Sequence, residues 1–330
     1  MIRIGILGAA KIAPKAIIQP SVRRNDCRVV AVAARDADRA RAYAAEHGIG
    51  HVADSYEALI AREDVDLIYN ALPPHRHADL SIAALKAGKP VLCEKPFAMN
   101  TGEAEDMVRA AEEAGLPLIE AFHYRFHPAF LHALGIVRSG QIGRIVSMEA
   151  DFSVPIPYRP GELRHTLETG GGALMDLGCY SIHMLRTVAG NEPSVASAEC
   201  RCGRPGIDLS AHARLNFADG VTASVMTSMA EDVTRRILLH VEGTDGSVTF
   251  NNPVHPYRGH RIDISHGGET RSETVPGETT YDHQLAHVMD VLAGRTQPLT
   301  GGTDAIANMR VIDTIYRAAG LAPRGAAQTA

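Results

Sequence analysis

Five short apolar runs, Arg3 to Leu7, Arg28 to Ala33, Asp66 to Ala71, Val91 to Cys93 and Leu116 to Phe122, are separated by stretches that read as helices. Parallel strands cannot be joined by a tight turn, so strands alternating with helices of about ten to fifteen residues specify a parallel sheet with right-handed crossovers. The punctuation between the runs agrees. A helix to about Arg24 follows Gly8 to Ala13, a helix from Asp36 to His47 is closed by Gly48, and Ser55 caps a short helix through Arg62. Leu72-Pro73-Pro74-His75 breaks the chain after the third run, a helix from about His77 to Ala87 ends at Gly88, and Thr101 caps a helix that ends at Gly115. The expected class is α/β, with a doubly wound parallel sheet over residues 1–122.

The turn after the first run, Gly8-Ala9-Ala10-Lys11-Ile12-Ala13, sits between a strand and a helix. A dinucleotide-binding turn wants G-x-G-x-x-G/A, whose small residues let the backbone approach a pyrophosphate at a helix N-terminus. Ala10 and Ala13 hold the second and third small positions, so the match is imperfect and the alternative is a tight turn that binds nothing. The residues after the second run are Ala34-Arg35-Asp36. A guanidinium there pairs with a 2′-phosphate, which favours NADP over NAD. Asp36 is read as the next helix's N-cap, although a register shift of one would make it a ribose ligand. His75 and His77 either face a nicotinamide or are plain polar groups at a helix start. Val91 to Pro96 ends in Glu94-Lys95-Pro96, which puts Lys95 just past a strand's carboxyl end, where open α/β sheets place their ligands. The bland alternative is a solvated Glu-Lys pair.

After Phe122 the texture changes. A helix reaches Ser139, and then Arg144 to Phe152, Val195 to Arg201, Ala211 to Phe217, Val221 to Met229, Ile237 to Glu242 and Ser247 to Phe250 follow as strand-like runs without helices between most of them. Ala218-Asp219-Gly220 joins two of these as a hairpin turn. The expectation is an α+β domain over residues 123–330 with a large, mostly antiparallel open sheet, one face covered by helices and the other available to a second subunit. Helices near Gln284 to Leu292 and Thr303 to Ala319 close the chain. One helix interrupts the strands, where Gly170-Gly171-Gly172 precedes Asp176, Tyr180 and His183 at i, i+4 and i+7, a spacing that puts all three on one helical face. The alternative is a structural helix with satisfied core Tyr and His.

The 330 residues suit two domains with sizeable cores, and a 45% hydrophobic, 22% charged composition is that of an ordinary globular protein. A net charge of -5 argues against nucleic acid or an anionic membrane as main partner. No run approaches the roughly 18 apolar residues of a spanning helix, and the start runs straight into a strand pattern, so a cytoplasmic protein is expected. Cys27, Cys93, Cys179, Cys200 and Cys202 form no paired ligand spacing, and no metal site is expected.

Together, Gly5 to Ala13, Tyr69-Asn70-Ala71-Leu72-Pro73, Glu94-Lys95-Pro96, Glu120 to Pro128 and Gly170 to Tyr180 resemble, in this order, the glucose–fructose oxidoreductase, inositol dehydrogenase and rhizopine-catabolism family, called Gfo/Idh/MocA. The resemblance covers nearly the whole chain. It implies a Rossmann domain plus an open-sheet domain, NAD(P)-dependent hydride transfer on a sugar, polyol or related cyclic alcohol or ketone, and a homodimer or homotetramer through the C-terminal sheet. It implies Lys95 as the catalytic lysine, with a Lys95-Pro96 bond that is a candidate for cis, and Asp176 as the acidic residue that opens the second catalytic motif. Inositol dehydrogenase-like members carry His four residues later, whereas this chain has Tyr180, as in glucose–fructose oxidoreductase and dimeric dihydrodiol dehydrogenase. Position 183, often Asp in the His-type members, is His183. Tyr180 is then the acid/base, assisted by Lys95 and oriented by Asp176. Gly8, Ala9, Ala10, Lys11, Ile12, Arg35, Leu72, Pro73, His77, Glu94 and Lys95 are expected at NADP, with NAD as the alternative. His123, Arg125, Arg164 and His183 are candidates for the substrate side. Two other readings fit the family: a tightly held cofactor that gives net epimerisation, elimination or hydrolysis, and a catalytically silent NAD(P)-binding regulator.

Overall fold

The computed structural model describes residues 1–204 and 206–326. Contacts divide it into two compact units, Met1–Phe122 with Tyr281–Ile306, and His123–Thr280 with the chain from Ala307 onward.

In the first unit the strands are β1 (Ile2–Leu7), β2 (Cys27–Ala33), β3 (His51–Val52), β4 (Leu67–Asn70), β5 (Val91–Cys93) and β6 (Leu118–Glu120). They form one parallel sheet in the order β3-β2-β1-β4-β5-β6. Chain direction across the sheet reverses at β1, which has β2 on one side and β4 on the other, and such a switch point leaves a crevice at the strands' carboxyl ends. The crossovers carry a π-wound turn (Pro14–Ile18) that runs into α1 (Gln19–Val22), then α2 (Ala37–His47), α3 (Tyr56–Ile60), α4 (His77–Lys86) and α5 (Thr101–Ala114). Their starts are fixed locally. Asp36 accepts from Arg39 N at 2.9 Å and Ser55 from Ala58 N at 3.0 Å. At α5 the cap is Asn100 rather than Thr101: Asn100 is extended and its Oδ1 takes Glu103 N at 3.1 Å, while Thr101 is already inside the helix.

Residues 281–306, expected with the second domain, group instead with the first. β6 is an edge strand whose outer backbone groups need partners. Thr300 supplies them, its hydroxyl donating to Glu120 O at 2.7 Å and its carbonyl accepting from Glu120 N at 3.4 Å. Asp282 adds an ion pair to Arg23 at 2.6 Å.

The second unit holds α6 (Pro128–Arg138) and eight strands: β7 (Ile145–Ser153), β8 (Ser194–Arg204), β9 (Ile207–Asn216), β10 (Thr222–Ser228), β11 (Arg236–Gly243), β12 (Gly246–Asn251), β13 (Arg261–His266) and β14 (Glu269–Glu273). Their order is β14-β13-β12-β11-β7-β10-β9-β8, antiparallel throughout except for β7 with β10. β13 and β14 were not expected as strands. Ile262 and Ile264 give β13 a two-residue alternation, but β14 (Glu-Thr-Arg-Ser-Glu) has no apolar residue to reveal it. Leu239, Ala150, Val225 and Ala213 line up across four strands on the buried face. Against this face packs a helix whose first turn is π-wound (Leu174–Gly178) and which continues as α7 (Cys179–Ala189). One residue along, Asp151, Met226 and His212 occupy the other face. The helices α8 (Thr280–Leu292) and α9 (Gly302–Ala318) close the fold. Among the described residues no helix is long and apolar enough to cross a membrane.

A fully buried carboxylate fixes the entry to the α7 helix. Asp208 on β9 accepts from Leu174 N at 2.7 Å, Tyr316 Oη at 2.9 Å and Arg324 Nη2 at 2.5 Å, while Arg324 Nε donates to Gly171 O at 2.7 Å. Burial pushes the Asp208 carboxyl up, and the Arg324 guanidinium, the Leu174 N–H and the Tyr316 hydroxyl, which favour its charged form, oppose that push. Gly172 lies at φ 132°, and a Cβ there would stand 2.1 Å from Asp208 Oδ1, so no other residue fits. Removing one member of a buried pair strands the other charge, so Arg324→Ala should lower the unfolding free energy by about 3–5 kcal/mol. Arg271→Ala, which removes half of the solvent-exposed Arg271–Glu273 pair, should cost about 0–1 kcal/mol. Urea unfolding of both variants checks this, and equal losses would refute it.

Candidate active site

β1 ends at Gly8, whose φ of 101° turns the chain across the sheet edge, its N–H donating to Ala33 O at 2.8 Å. A Cβ there would come within 3.0 Å of Leu72 Cδ2, so the close approach of the turn to the end of β4 requires glycine. Ala13, the third small position, is fully buried beneath the π-wound turn. Lys11 is exposed and Ile12 half-buried. Two side chains of α2 that the sequence had not singled out brace this loop: Arg39 Nη2 donates to Ala9 O at 2.7 Å and Tyr43 Oη to Ala10 O at 3.1 Å. The signal for Arg39 was its place in the first turn of the helix that Asp36 caps. With the Asp36 carboxylate bonded to its own helix, Arg35 is left exposed past the end of β2. It is also close enough to His75 to help lower that imidazole's pKa, after burial and Arg76. A glycine cradle at the switch point with a guanidinium beyond the second strand fits a nicotinamide dinucleotide.

Behind the cradle, Tyr69 Oη donates to Glu94 Oε1 at 2.6 Å, and the desolvated phenol, its pKa pushed well up by burial, remains a donor. Leu72 and Pro73 follow β4 and are half-buried. Lys95 follows β5, half-buried, and its bond to Pro96 is cis. His77, expected at the cofactor, is corrected: it has no exposed surface, with Nδ1 2.9 Å from Pro96 O and Nε2 2.7 Å from Leu72 O. Its ring ties the loop after β4 to the loop after β5, and desolvation drives its pKa down to about 4.

In the second unit the helix entered through Gly170–Gly172 carries Asp176 in its π-wound turn and Tyr180 and His183 in α7, where both rings approach Tyr124. Asp176 Oδ2 accepts from Arg164 Nε at 2.6 Å, and Arg164 Nη1 reaches Glu162 at 3.0 Å. The Asp176 charge raises the Arg164 pKa, keeping the guanidinium charged. Tyr180 Oη lies 3.1 Å from His123 Nε2, and His123 Nδ1 lies 2.8 Å from Thr280 Oγ1. His183 Nδ1 lies 2.6 Å from Tyr124 Oη. His183 is 1% exposed, so as a substrate contact it is corrected to a core brace. Arg125 stacks its guanidinium over Phe130, 5.8 Å from the ring centroid. Thr280 was missed altogether, because nothing local marks a threonine 157 residues from its partner. Among the described residues no group of three His, Cys, Asp or Glu side chains could hold a metal ion.

The model of an oxidoreductase family with an NAD-binding Rossmann fold, Gfo/Idh/MocA, matches residues 2–122, and that family's C-terminal domain matches residues 130–249. The chain belongs to the Gfo/Idh/MocA family, and it is an NAD(P)-dependent oxidoreductase. It is 34% identical to D-xylose 1-dehydrogenase (NADP(+)) 2 of Haloferax volcanii over 96% of each chain. Its fold superposes on the aldose-aldose oxidoreductase of Caulobacter crescentus with a TM-score of 0.88 at 28% identity, covering 97% of both chains. It matches a 3-ketoreductase from Actinomadura kijaniata, solved with NADP and TDP-benzene, with a TM-score of 0.87 at 28% identity over 96% of this chain and 97% of that one.

His77 makes the first unit acid-sensitive in a defined window. Its folded pKa of about 4 lies below the ordinary 6.5, so the unfolded chain binds the extra proton first, and stability present above pH 6.5 is lost as the pH falls toward 4. Unfolding free energy measured across that window should fall less steeply for His77→Gln than for wild type, by up to about one proton's worth of slope. Parallel curves would refute the assignment.

Proposed function

We propose that the protein is an NADP-preferring oxidoreductase of aldoses and closely related sugars, with Tyr180 as acid/base, Lys95 as the ammonium that binds the reacting oxygen and Asp176 as an orienting carboxylate. What carries this reading is Tyr180, a phenol set among Tyr124 and Phe152 with an imidazole at its oxygen. The NADP(+)-dependent xylose dehydrogenase and the NADP-bound ketoreductase among its relatives support the cofactor and the substrate class.

Gly8, Ala9, Ala10, Lys11 and Ile12 would hold the cofactor's pyrophosphate and Arg35 the 2′-phosphate, with Leu72, Pro73 and Glu94 on the strand-end side. When bound, the nicotinamide supplies or accepts the hydride. The chain's part is the proton. In reduction the Tyr180 O–H bond breaks toward the carbonyl oxygen, and in oxidation the phenolate takes the proton of the alcohol. A phenol of ordinary pKa near 10 is a weak base at neutral pH, and in the proposed mechanism an ammonium such as Lys95 would favour its ionised form. Arg164, held by Asp176, and Arg125 belong to the substrate side, and His123, buried with both ring nitrogens engaged, meets it only through Tyr180. The five cysteines, held as thiols outside any disulfide, suit a reducing, cytoplasmic compartment. A homodimer or homotetramer through the eight-stranded sheet would cover its Asp151–Met226–His212 face.

The test is a panel of aldoses beginning with D-xylose, with NADP+ and NAD+, following the absorbance of the reduced cofactor. Tyr180→Phe should lower kcat by about 100- to 10,000-fold and leave the KM for NADP+ within a few-fold. A Tyr180→Phe enzyme that keeps its kcat ends the acid/base assignment. Arg35→Ala should raise the KM for NADP+ by about 10- to 100-fold with little change for NAD+, the cost of one charge-assisted contact. Equal changes for both cofactors would remove Arg35 from the phosphate. A cofactor-retaining cycle, favoured by the likeness to an aldose-aldose oxidoreductase, predicts turnover of aldose by dialysed enzyme with no cofactor added.

A further inference from the structure

An imidazole stands at the Tyr180 oxygen, with a hydroxyl at its other nitrogen. We infer that His123 is a positioning residue that holds Tyr180 through an Nε2–H···Oη bond and stabilises its phenolate, with the Thr280 hydroxyl fixing the tautomer. This inference rests on Tyr180 being the acid/base.

The geometry is a buried line of three polar groups. Tyr180 Oη stands 3.1 Å from His123 Nε2, and His123 Nδ1 stands 2.8 Å from Thr280 Oγ1. Thr280 is fully buried, and His123 and Tyr180 are 3% and 5% exposed. A neutral imidazole has one N–H, so two arrangements exist. If Nδ1 carries the proton, Nε2 accepts from the phenol and the Tyr180 hydrogen is aimed at the ring, away from any substrate. If Nε2 carries it, the Thr280 hydroxyl donates to Nδ1, the phenol's own hydrogen is free to point elsewhere, and the oxygen left after that proton departs still has a donor. Only the second arrangement serves an acid/base tyrosine. The proton balance is then simple: the Tyr180 O–H bond breaks, the substrate O–H bond forms, the electron pair stays on the phenolate oxygen, and His123 keeps its proton throughout.

The groups around this line are mostly neutral. The His255 ring stacks on His123 with centroids 5.4 Å apart and planes 16° apart. Tyr124 lies 5.9 Å from the Tyr180 ring and is itself tied to His183, and Phe152 lies 5.5 Å away on the sheet side. His255, His183 and Tyr124 are titratable groups near this line whose protonation could mix into the profile, as could that of Lys95, whose charge the proposed mechanism sets against Tyr180. An effect that survives their substitution belongs to His123.

The experiment reads Tyr180 directly. Its ionisation is the tyrosinate ultraviolet absorbance present in wild type and missing from Tyr180→Phe, followed against pH on the whole protein without substrate. In His123→Phe, which keeps the ring but has no donor, this titration should move alkaline by about one to two pH units, the shift expected for one hydrogen bond to a charged oxygen. His123→Gln, which restores an N–H, should bring it most of the way back, and Thr280→Val should move it in the same direction by less. With D-xylose and NADP+, the pH at which kcat rises should shift in parallel while the KM for NADP+ stays put. An unshifted tyrosinate titration in both His123→Phe and Thr280→Val would overturn the inference. If His123→Phe fails to fold, Thr280→Val and His123→Gln decide it alone. The underlying reading fails separately: a Tyr180→Phe enzyme with near-normal kcat would remove the acid/base role even if the titration shifts as expected.

Discussion

The second unit is held by one buried carboxylate. Asp208 collects an amide from the start of the α7 helix, a phenol from α9 and a guanidinium from the segment beyond it. The Arg324 side chain passes on to the carbonyl of Gly171. A lone carboxylate in that position would be too costly to ionise, and with three donors it becomes a joint. The consequence is local and chemical. The helix N-terminus cannot shift along its axis without breaking the Leu174 contact, so the side chains it carries, Asp176 and Tyr180, keep fixed positions. An anion at a helix N-terminus is favoured by the aligned peptide dipoles as well. The positions of Asp176 and Tyr180 therefore depend on packing at a residue, Asp208, that has no part in the proposed chemistry.

How much could be read in advance follows from how far each determinant lies along the chain. The first unit was legible because its signals are local: apolar runs, Asp36 and Ser55 as caps, and a glycine where β1 must turn. Asp36's engagement with its own helix was likewise a local matter, since an N-cap takes the N–H three residues on, here that of Arg39. What escaped is what depends on distant partners. Thr300 closes the edge of β6 from 180 residues away, and nothing in the sequence of residues 281–306 announces it. β14 escaped for a different reason: an edge strand exposed along its length is under no pressure to show alternation, and polar residues there protect against edge-to-edge pairing.

The candidate site divides in the same way. Lys95 and Tyr180 were singled out by motifs, but which imidazole meets which hydroxyl was not legible. Helical spacing put Tyr180 and His183 side by side, and both rings do approach Tyr124, but the π-wound turn ahead of them was invisible to a count of residues. His77 is a similar case. Its position at a helix start allowed a place at the cofactor, while two carbonyls from separate strand-end loops make it a strut. A polar side chain in an α/β protein is as often a tie between loops as a ligand, and only its partners tell which.

Two tyrosine–histidine pairs interlock here, Tyr180 with His123 and Tyr124 with His183, and His123 and Tyr124 are neighbours in sequence. The pairs are chemically alike, so burial has to separate their roles. An acid/base group must exchange its proton with a molecule that arrives and leaves, which requires some surface. Tyr124 has none and His183 almost none, so their bond can only be structural, pinning the turn at His123–Phe126 to the α7 helix. Tyr180 keeps a small exposed edge. The buried pair therefore acts as the brace: by fixing Tyr124 it fixes the adjacent His123, and His123 in turn fixes the oxygen of Tyr180. In the proposed site a change in Tyr124 or His183 would reach Tyr180 only along this line, from their mutual bond to the neighbouring His123 and from His123 to the Tyr180 oxygen.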